Sequence, residues 1–446
     1  DDDVRLSSSD WVAVNFVSKH MNNLSLLKVR IESSDCLWEF LKLLQNRCIA
    51  QLALNWKAET DDDEIEYVFN TLRDSQCTRN HKHTNLSLLT LHGFCVSDEV
   101  MTKICHFVKT RQMSHLQELR LTRNEISPSG ISKFCDVFDS KHFVELTYLD
   151  LSYNPICDEG ASKLLHILTK RPRKLTQLIL RSCSLTSQCV PALVKTLQGE
   201  HCKIVVLDIG NNDIGDKGVR LLCENVLTGK HCKLIRLILD TYSLTERCIP
   251  YLCKALQDEG CKLNILSLKR NEIGDEGACV LFEDGIAKEH CKLTELDLSR
   301  NLLTEKCIPR LCKALQDERC KLNVLSLAVN EIRDEGACVL FKDGIAKEHC
   351  KLTELDLSQS SITDKCIPRL CKVLQDERCK LNVLSLSVIT FSDKGACELF
   401  EDGIAKEHCK LTKLNLSRGW LTDKCIPRLC KVLQDERCKL TKLSLR

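Results

Sequence analysis

One stretch decides the fold of this chain: residues 293–303, which read Leu-Thr-Glu-Leu-Asp-Leu-Ser-Arg-Asn-Leu-Leu. Within this stretch, Leu296 and Leu298 alternate with the acidic residues Glu295 and Asp297. An alternation of period two predicts a short β-strand that has one buried face and one polar face.

The opening motif of this stretch, Leu-x-x-Leu-x-Leu, returns every 29 or 30 residues along most of the chain. We call the first residue of each copy its lead residue, and the lead residues are Leu86, Leu116, Leu146, Leu175, Ile204, Leu234, Leu263, Leu293, Leu322, Leu352, Leu381, Leu411 and Leu440. Self-similarity at this period indicates a solenoid, in which each copy packs only on its neighbours. A length of 446 residues therefore does not require several globular domains.

The second half of each copy has the spacing of a helix. Ile308, Leu311, Cys312 and Leu315 fall at i, i+3, i+4 and i+7, which places them on one helix face. Two types of copy alternate, and in the second type we expect a glycine to open the helix and an aspartate to cap it. These pairs are Gly277 with Asp275, Gly336 with Asp334, and Gly395 with Asp393. The strands must then stack in parallel, each joined to the next by a helix.

An asparagine follows the strand in many copies, eight residues after the lead residue. Asn301 can satisfy backbone groups of the neighbouring copy, so stacked copies are expected to form an asparagine ladder. The same position holds Asn124, Asn154, Asn212, Asn271 and Asn330. It holds Cys183, Tyr242, Ser360, Ile389 and Gly419 in the copies where we expect the ladder to break.

The composition limits the kinds of partner that the protein is expected to bind. Charged residues make up 28% of the chain and the net charge is +2, so no strong field favours nucleic acid or an acidic membrane. No apolar run is long enough for a transmembrane helix. The chain opens with Asp1-Asp2-Asp3 and stops within a repeat. We therefore expect a fragment whose C-terminal cap, and an N-terminal partner domain, lie outside it.

The chain holds 30 cysteines, which suit either a secreted, disulfide-bonded protein or a reduced, cytoplasmic one. One set lies two residues before a lead residue: Cys202, Cys232, Cys261, Cys291, Cys320, Cys350, Cys379, Cys409 and Cys438. Others recur in the helical half as Cys248/Cys253, Cys307/Cys312, Cys366/Cys371 and Cys425/Cys430. A small apolar residue at fixed solenoid positions favours a ladder of buried, reduced thiols and a cytoplasmic location.

These features together resemble the ribonuclease-inhibitor-like class of leucine-rich repeat proteins, which has alternating long repeats and abundant cysteine. The resemblance covers about residues 86–446, and weaker copies begin at Leu24 and Ile49. It implies an α/β fold: a curved solenoid, or horseshoe, with a parallel sheet on the concave face and helices on the convex face. We expect this solenoid over residues 24–446, with irregular copies at 24–85 and regular copies thereafter.

The stretch Ser7–Val17 is similar to the helix that opens the repeat region of NOD-like receptors, so we expect residues 1–23 to form this capping helix and linker. The sequence segments 291–299, 350–358 and 210–218 resemble repeat segments in the large receptor families of fish and marine invertebrates. The resemblance implies the C-terminal sensor region of such a receptor. The chain contains no Gly-x-x-x-x-Gly-Lys-Ser/Thr loop, so a nucleotide-binding domain would lie upstream.

Neither a catalytic constellation nor a metal site is expected. Pairs such as His290-Cys291 recur with the duplication, but adjacent residues on an extended segment point in opposite directions. No Cys-x-x-Cys motif with zinc spacing occurs. The acidic stretch at 61–64 suits the start of a solvated helix. We therefore expect no enzymatic activity and no cofactor.

A candidate binding site emerges from the comparison of nearly identical copies. Cys-Ile-Pro-Arg-Leu-Cys-Lys recurs unaltered at 307–313, 366–372 and 425–431, whereas the residues just after the strand differ between the same copies. This divergence favours a recognition surface on the concave strand faces and their exit loops. The candidate residues are Lys269, Arg270, Glu295, Asp297, Arg300, Val329, Gln359, Val388, Arg418 and Trp420.

Arginine and tryptophan are frequent interface hot spots, so Arg300, Arg418 and Trp420 lead this set. Trp420 has a second interpretation, as a core residue beside Leu421 where the chain turns inward. Either way, we expect a non-enzymatic module that binds a protein ligand or the nucleotide-binding domain of its own receptor.

Two alternatives remain for the function. One is a ribonuclease-inhibitor-type protein, which would need a strongly acidic concave face, whereas basic and acidic residues are mixed here. The other is a leucine-rich repeat regulator of a small GTPase, which would imply an acidic C-terminal tail and a catalytic loop arginine. The sequence favours the sensing and autoinhibitory region of a cytoplasmic innate immune receptor.

Overall fold

A computed structural model of the chain describes residues 26–31, 51–56, 86–93, 98–111, 115–138, 143–388, 390–419 and 421–445. The chain divides into two compact units, Asp1–Asp213 and Ile214–Arg446. The expected capping helix at 1–23 and the acidic stretch at 61–64 lie outside the described residues.

Each regular copy contributes the predicted short strand, which begins two residues after its lead residue. The strands of the first unit are β1 (Leu26–Ile31), β2 (Gln51–Trp56), β3 (Leu88–His92), β4 (Glu118–Thr122), β5 (Tyr148–Asp150), β6 (Gln177–Ile179) and β7 (Val206–Asp208). Those of the second unit are β8 (Arg236–Ile238), β9 (Ile265–Ser267), β10 (Glu295–Asp297), β11 (Val324–Ser326), β12 (Glu354–Asp356), β13 (Val383–Ser385), β14 (Lys413–Asn415) and β15 (Lys442–Ser444). Within each unit, consecutive strands pair in parallel.

The strands stack so that equivalent residues of neighbouring copies pair. Leu296 pairs with Leu266 on one side and with Leu325 on the other, and all three are fully buried. The flanking Glu295 and Asp297 are only half-buried. Because side chains alternate across a strand, the leucines form a core layer and the flanking residues point to the opposite side. We call this opposite side, formed by the residues two and four positions after each lead residue, the sheet face.

A helical segment follows every regular strand whose return connection is described. The first unit contains α1 (Asp98–Arg111), α2 (Pro128–Phe138), α3 (Cys157–Lys170) and α4 (Val190–Leu197). The second contains α5 (Gly215–Leu222), α6 (Ile249–Leu256), α7 (Gly274–Leu281), α8 (Ile308–Leu315), α9 (Arg333–Val339), α10 (Ile367–Leu374), α11 (Asp393–Glu398) and α12 (Ile426–Leu433). Short 3-10 turns precede α4, α6, α8, α10 and α12, and π turns follow α5, α7, α9 and α11. The buried residues of α8 include Ile308, Leu311, Cys312 and Leu315, which confirms the predicted helix face.

The glycines that were expected to open the alternate helices lie inside them instead. The helices α7, α9 and α11 begin at Gly274, Arg333 and Asp393, upstream of Gly277, Gly336 and Gly395. A Cβ atom on Gly277 would lie 2.8 Å from Cγ2 of Ile273 and 3.1 Å from Cα of Glu246. The position therefore requires glycine because the backbone of the preceding copy passes too close for a side chain.

The aspartates that were expected to cap these helices bind the next copy instead. The carboxylate of Asp275 accepts hydrogen bonds from the backbone N–H of Thr304 (2.8 Å) and from its hydroxyl (2.6 Å). The Thr304 hydroxyl in turn accepts from the N–H of Lys306 and caps its own 3-10 turn. The same pairing joins Asp158 to Thr186, Asp216 to Thr245, Asp334 to Thr363, and Asp393 to Thr422. The prediction of aspartate caps at Asp275, Asp334 and Asp393 was wrong, because these carboxylates join copies.

The asparagine ladder is present where the described copies carry asparagine at this position. The N–H of Asn301 donates to Oδ1 of Asn330 in the next copy, at 2.9 Å. We expected Tyr242 to take the asparagine position in its copy and to break the ladder, but Tyr242 is 62% exposed. Thr241 is fully buried instead, and its hydroxyl donates to Oδ1 of Asn271 at 2.7 Å. The smaller side chain turns inward and keeps the buried polar atoms paired.

The predicted fold class is confirmed within each unit. Each is an α/β leucine-rich repeat solenoid, with a parallel sheet on one side and helical segments on the other. Helices are wider than strands, so stacking one helix on each strand curves such a solenoid toward its strand side. Among the described residues, helices cover the leucine side of each unit and no element covers its sheet face.

Candidate recognition surface

Most of the candidate residues occupy one position in consecutive copies, seven residues after the lead residue. We call this set the exit row: Arg270, Arg300, Val329, Gln359, Val388 and Arg418. Val329 is half-buried and the other members are exposed. Because β9 to β14 pair in order, the structure brings the exit row together as a line where these strands end.

Every member of the exit row has a left-handed backbone. Their φ angles are 60° at Arg270, 56° at Arg300, 57° at Val329, 56° at Gln359, 55° at Val388 and 56° at Arg418. This conformation costs a residue other than glycine about 1–2 kcal/mol. Valine, which is branched at Cβ, rarely adopts it. The exit row therefore stores backbone strain in copy after copy.

Backbone hydrogen bonds to the next copy hold this conformation. The N–H of Arg300 donates to the carbonyl of Ala328 at 2.9 Å, and that of Val329 donates to Ser358 at 2.7 Å. The same bond joins Arg270 to Ser299, Gln359 to Ser387, and Val388 to Ser417. Glycine would be the least strained residue in such a turn, and Gly93 occupies the equivalent position in the first unit with a φ of 74°.

The exit-row arginines lack carboxylate partners. Among the described residues, no carboxylate lies within ion-pair distance of Arg270, Arg300 or Arg418. Arginines on the helix side of the same copies are paired: Arg310 with Glu283 at 2.8 Å, and Arg428 with Glu401 at 2.6 Å. Since a guanidinium is always charged, the exit row presents uncompensated positive charge.

The two acidic candidates lie beside this positive charge, on the sheet face. Glu295 and Asp297 are on β10, and Oδ1 of Asp297 accepts the N–H of Ser299 at 2.8 Å. Glu354 and Asp356 occupy the same positions on β12. Within the described part of the chain, no basic side chain forms an ion pair with these four carboxylates. At β10 and β12 the sheet face therefore carries negative charge beside the exit row, whereas Lys413 occupies the equivalent position on β14.

Two further candidates are neighbours of exit-row residues in the sequence. Lys269 directly precedes Arg270 and is half-buried. The guanidinium of Arg270 lies 6.0 Å from the ring centroid of Tyr242, at the outer limit of a cation–π contact. Trp420 lies outside the described residues, so the choice between a contact residue and a core residue stays a prediction.

Leu302 is a surface residue that the sequence did not reveal. It has a φ of 60° and is 69% exposed, between the exit-row residue Arg300 and the buried Leu303. A leucine in a leucine-rich copy is normally assigned to the core. Its exposure follows from the turn, which directs Asn301 and Leu303 inward and leaves the residue between them outside.

The first unit holds a cluster of arginine and tyrosine, on its sheet face and at the ends of its strands, that comparison of the duplicates missed. The guanidinium of Arg120 lies 4.4 Å from the ring centroid of Tyr148, and Arg123 lies 5.3 Å from that of Tyr153. Arg120 also pairs with Glu118 at 2.9 Å. These residues lie at the same positions after the lead residue as the candidates of the second unit. The early copies have no near-identical duplicate, so comparison of duplicates could not identify them.

A histidine borders this cluster. Nδ1 of His92 lies 2.7 Å from the hydroxyl of Thr122. Burial, and then the positive charge of Arg123, lower the pKa of His92, while Asp150 acts in the opposite direction. The histidine is thus held in its neutral form more strongly than in water.

The described residues offer no group of three or more His, Cys, Asp or Glu side chains that could hold a metal ion. Among the described helices, none has the length and apolar character that would let it cross a membrane.

Most of the described cysteines are buried. Burial, and then the negative charge of Asp343, raise the pKa of the Cys312 thiol to about 12. Burial likewise raises the pKa of Cys320 to about 11. Burial is incomplete at Cys157, Cys202, Cys279, Cys338, Cys397 and Cys438, and Cys430 is exposed. The expectation of a fully buried ladder was therefore wrong at Cys430, on the last described helix.

Two family models described as Leucine Rich Repeat match the chain. One matches residues 112–135, 146–165, 200–223 and 259–281, and the other matches 292–314. These matches fall within the copies that contribute the strands and helices described above.

The chain is also similar to curated proteins. It is 32% identical to "NACHT, LRR and PYD domains-containing protein 3" of Rattus norvegicus, over 60% of this chain and 22% of that protein. It is 28% identical to the ribonuclease inhibitor of Mus musculus, over 61% of this chain and 64% of that protein. The chain thus spans about a fifth of the first relative and less than two thirds of the second. It carries leucine-rich repeats, and it is similar to ribonuclease inhibitors and to the NACHT, LRR and PYD domains-containing proteins.

Proposed function

We propose that this chain is a non-enzymatic protein-recognition module whose exit row and adjoining sheet face, in the second unit, contact the partner. We further propose that it is the ligand-sensing and autoinhibitory repeat region of a cytoplasmic innate immune receptor of the NOD-like type. The similarity to NACHT, LRR and PYD domains-containing proteins supports this assignment. The partner is then a protein ligand or the nucleotide-binding domain of the same receptor.

The divergence between duplicated copies supports the location of the surface more than any other observation. The left-handed turn belongs to the repeat itself, because Arg123, Tyr153, Ser182 and Asn211 share it in the first unit. The turn holds each exit-row side chain in a fixed place at the end of its strand. The divergence between nearly identical copies falls on these same residues, while the helix motif of 307–313 repeats unchanged.

The mouse ribonuclease inhibitor supports a second candidate, an inhibitor that covers a partner enzyme. The carboxylates of Glu295, Asp297, Glu354 and Asp356 would suit a basic partner on the sheet face. The unpaired arginines of the exit row oppose a uniformly basic partner, because like charges would face each other across the interface. The receptor assignment is therefore the better supported of the two.

The experiment is a quantitative capture assay with the tagged chain as bait and a partner identified with the wild-type protein. Arg300→Ala, Arg418→Ala and Trp420→Ala should each weaken binding of that partner by more than about 1 kcal/mol, about a fivefold loss of affinity. Lys313→Ala, on the outer face of α8, is the matched control and should change little. Thermal unfolding of all four variants should be close to that of the wild-type protein. Loss of binding confined to Lys313→Ala would contradict the proposed surface.

A further inference from the structure

The exit row has a definite chemical order along the sheet. Arg270 and Arg300 lie at one end and Arg418 at the other. Between them the row presents Val329, Gln359 and Val388, and the neighbouring Leu302 adds a side chain that is 69% exposed. The row thus consists of an uncharged middle, two valines with one glutamine between them, with unpaired guanidinium groups beyond it at both ends.

The dimensions of this row suit a short extended segment. Neighbouring strands lie about 4.8 Å apart, so the four steps from β10 to β14 separate Arg300 from Arg418 by about 19 Å. An extended polypeptide spans this distance with about six residues, at about 3.3 Å per residue. A single segment of a partner can therefore contact the uncharged middle and both cationic ends.

We propose that the exit row binds a polypeptide segment that has an apolar centre and carboxylate side chains on both sides of it. This inference rests on the proposed function and adds the chemistry of the partner. Guanidinium and carboxylate groups form paired, charge-assisted hydrogen bonds, and the exit-row arginines have no such partner within the described residues. An apolar centre with a polar rim is also the usual composition of a protein interface.

The acidic residues of the sheet face favour a polypeptide over a nucleic acid. Asp297 and Arg300 are three residues apart, so their Cα atoms lie within about 10 Å. A nucleic acid carries a continuous line of phosphates, which the carboxylates of Asp297, Glu354 and Asp356 would repel at this range. A polypeptide can place carboxylates at the two ends alone and apolar side chains over Val329 and Val388.

The test uses the full chain and three fluorescent probes measured by anisotropy. The first probe is an eight-residue peptide with two glutamates at each end and four aliphatic or serine residues in the centre. The second has lysines in place of the glutamates, and the third is a single-stranded RNA of eight nucleotides. The variants are Arg270→Glu with Arg300→Glu, Arg418→Glu alone, and the control Lys313→Glu with Lys372→Glu on the helices.

We expect the glutamate-ended peptide to bind at least about tenfold more tightly than the lysine-ended one. Both exit-row variants should weaken this binding by more than about tenfold, and the helix control by less than about twofold. The RNA should not compete with the peptide. Absence of peptide binding, an equal effect of the helix control, or displacement of the peptide by RNA would each overturn the inference.

A separate result distinguishes this inference from the proposed function. Arg300→Gly and Arg418→Gly remove the side chains and fit the left-handed turn, so the fold is retained. If these variants fail to bind the captured partner and the wild-type protein does not bind the acidic peptide, the proposed surface is correct and the proposed partner chemistry is wrong. If they retain the partner in full, the proposed surface itself fails.

Discussion

Asp275 holds Thr304 of the next copy through two hydrogen bonds, from the threonine N–H at 2.8 Å and from its hydroxyl at 2.6 Å. The link joins successive copies on the helix side, where the chain enters a 3-10 turn. Together with the asparagine ladder, it fixes each copy against the next by polar contacts as well as by leucine packing. In a solenoid, such contacts between neighbours decide how cooperatively the copies unfold.

The link between Asp275 and Thr304 should show as a coupling energy. We expect Asp275→Ala and Thr304→Ala each to lower the free energy of unfolding, because each leaves a turn N–H or a carboxylate without its partner. In a double-mutant cycle followed by urea denaturation, the coupling should be about 1–2 kcal/mol. Strictly additive losses would show that the two side chains do not act as a pair.

Leu296 tests the shared core layer. It is fully buried between Leu266 and Leu325, so Leu296→Asp would bury an unpaired carboxylate. We expect a loss of several kcal/mol in the free energy of unfolding. Glu295→Gln, on the sheet face of the same strand, is the control and should change stability by less than about 0.5 kcal/mol. A soluble, fully folded Leu296→Asp protein would rule out this core layer.

Val329 tests the strain of the exit row. Its φ of 57° means that Val329→Gly relieves about 1–2 kcal/mol of left-handed strain, which offsets the greater freedom of glycine in the unfolded chain. Val324→Gly, at a half-buried position inside β11, brings no such relief. Chemical denaturation should therefore show Val329→Gly to be the more stable variant by at least about 1 kcal/mol. Equal losses at the two positions would mean that the turn carries no strain.

The buried thiols predict a loss of stability at alkaline pH. Burial raises the pKa of Cys312 and of Cys371 from 9.0 to about 12. The unfolded chain releases these protons above about pH 9, while the folded protein retains them. The stability is thus complete below pH 9 and falls as the pH rises toward 12, by up to about 1.4 kcal/mol per pH unit for each thiol.

Unfolding free energies between about pH 8 and pH 10.5 provide the measurement. Replacement of Cys312 and Cys371 by alanine should flatten the decline, whatever it does to stability at neutral pH. Cys430→Ala, which removes an exposed thiol, should leave the slope unchanged. A decline that is equally steep in all three proteins would show that these buried thiols do not cause it.

The strands and core leucines could be predicted because one periodic pattern encodes them. Each copy has its own alternation of apolar and polar residues, so the start of β10 can be predicted from Leu293 without knowledge of any neighbouring copy. The contact between Asp275 and Thr304 could not be predicted in this way. Its partners lie 29 residues apart and meet only through the stacking of whole copies.

The exit row was predicted as a surface, but its backbone conformation was not. Arginine and valine carry no local signal for a left-handed turn, and the hydrogen bond from Val329 to Ser358 imposes it from the next copy. Tyr242 was misplaced for a related reason, because the size of the buried slot selected Thr241 instead. Local pattern therefore identifies which residues lie after the strand, and packing between copies decides which of them turns outward.

The central claim is that a partner contacts the exit row, and arginine-specific chemical footprinting tests it most directly. Two copies supply matched pairs, Arg300 with Arg310 and Arg418 with Arg428, in which one arginine lies in the exit row and the other on a helix. Phenylglyoxal labelling of the free and the partner-bound protein, read by mass spectrometry, should show protection of Arg300 and Arg418. Arg310 and Arg428 should be labelled equally in both states. Protection of the helix arginines, with the exit-row arginines unchanged, would contradict the account.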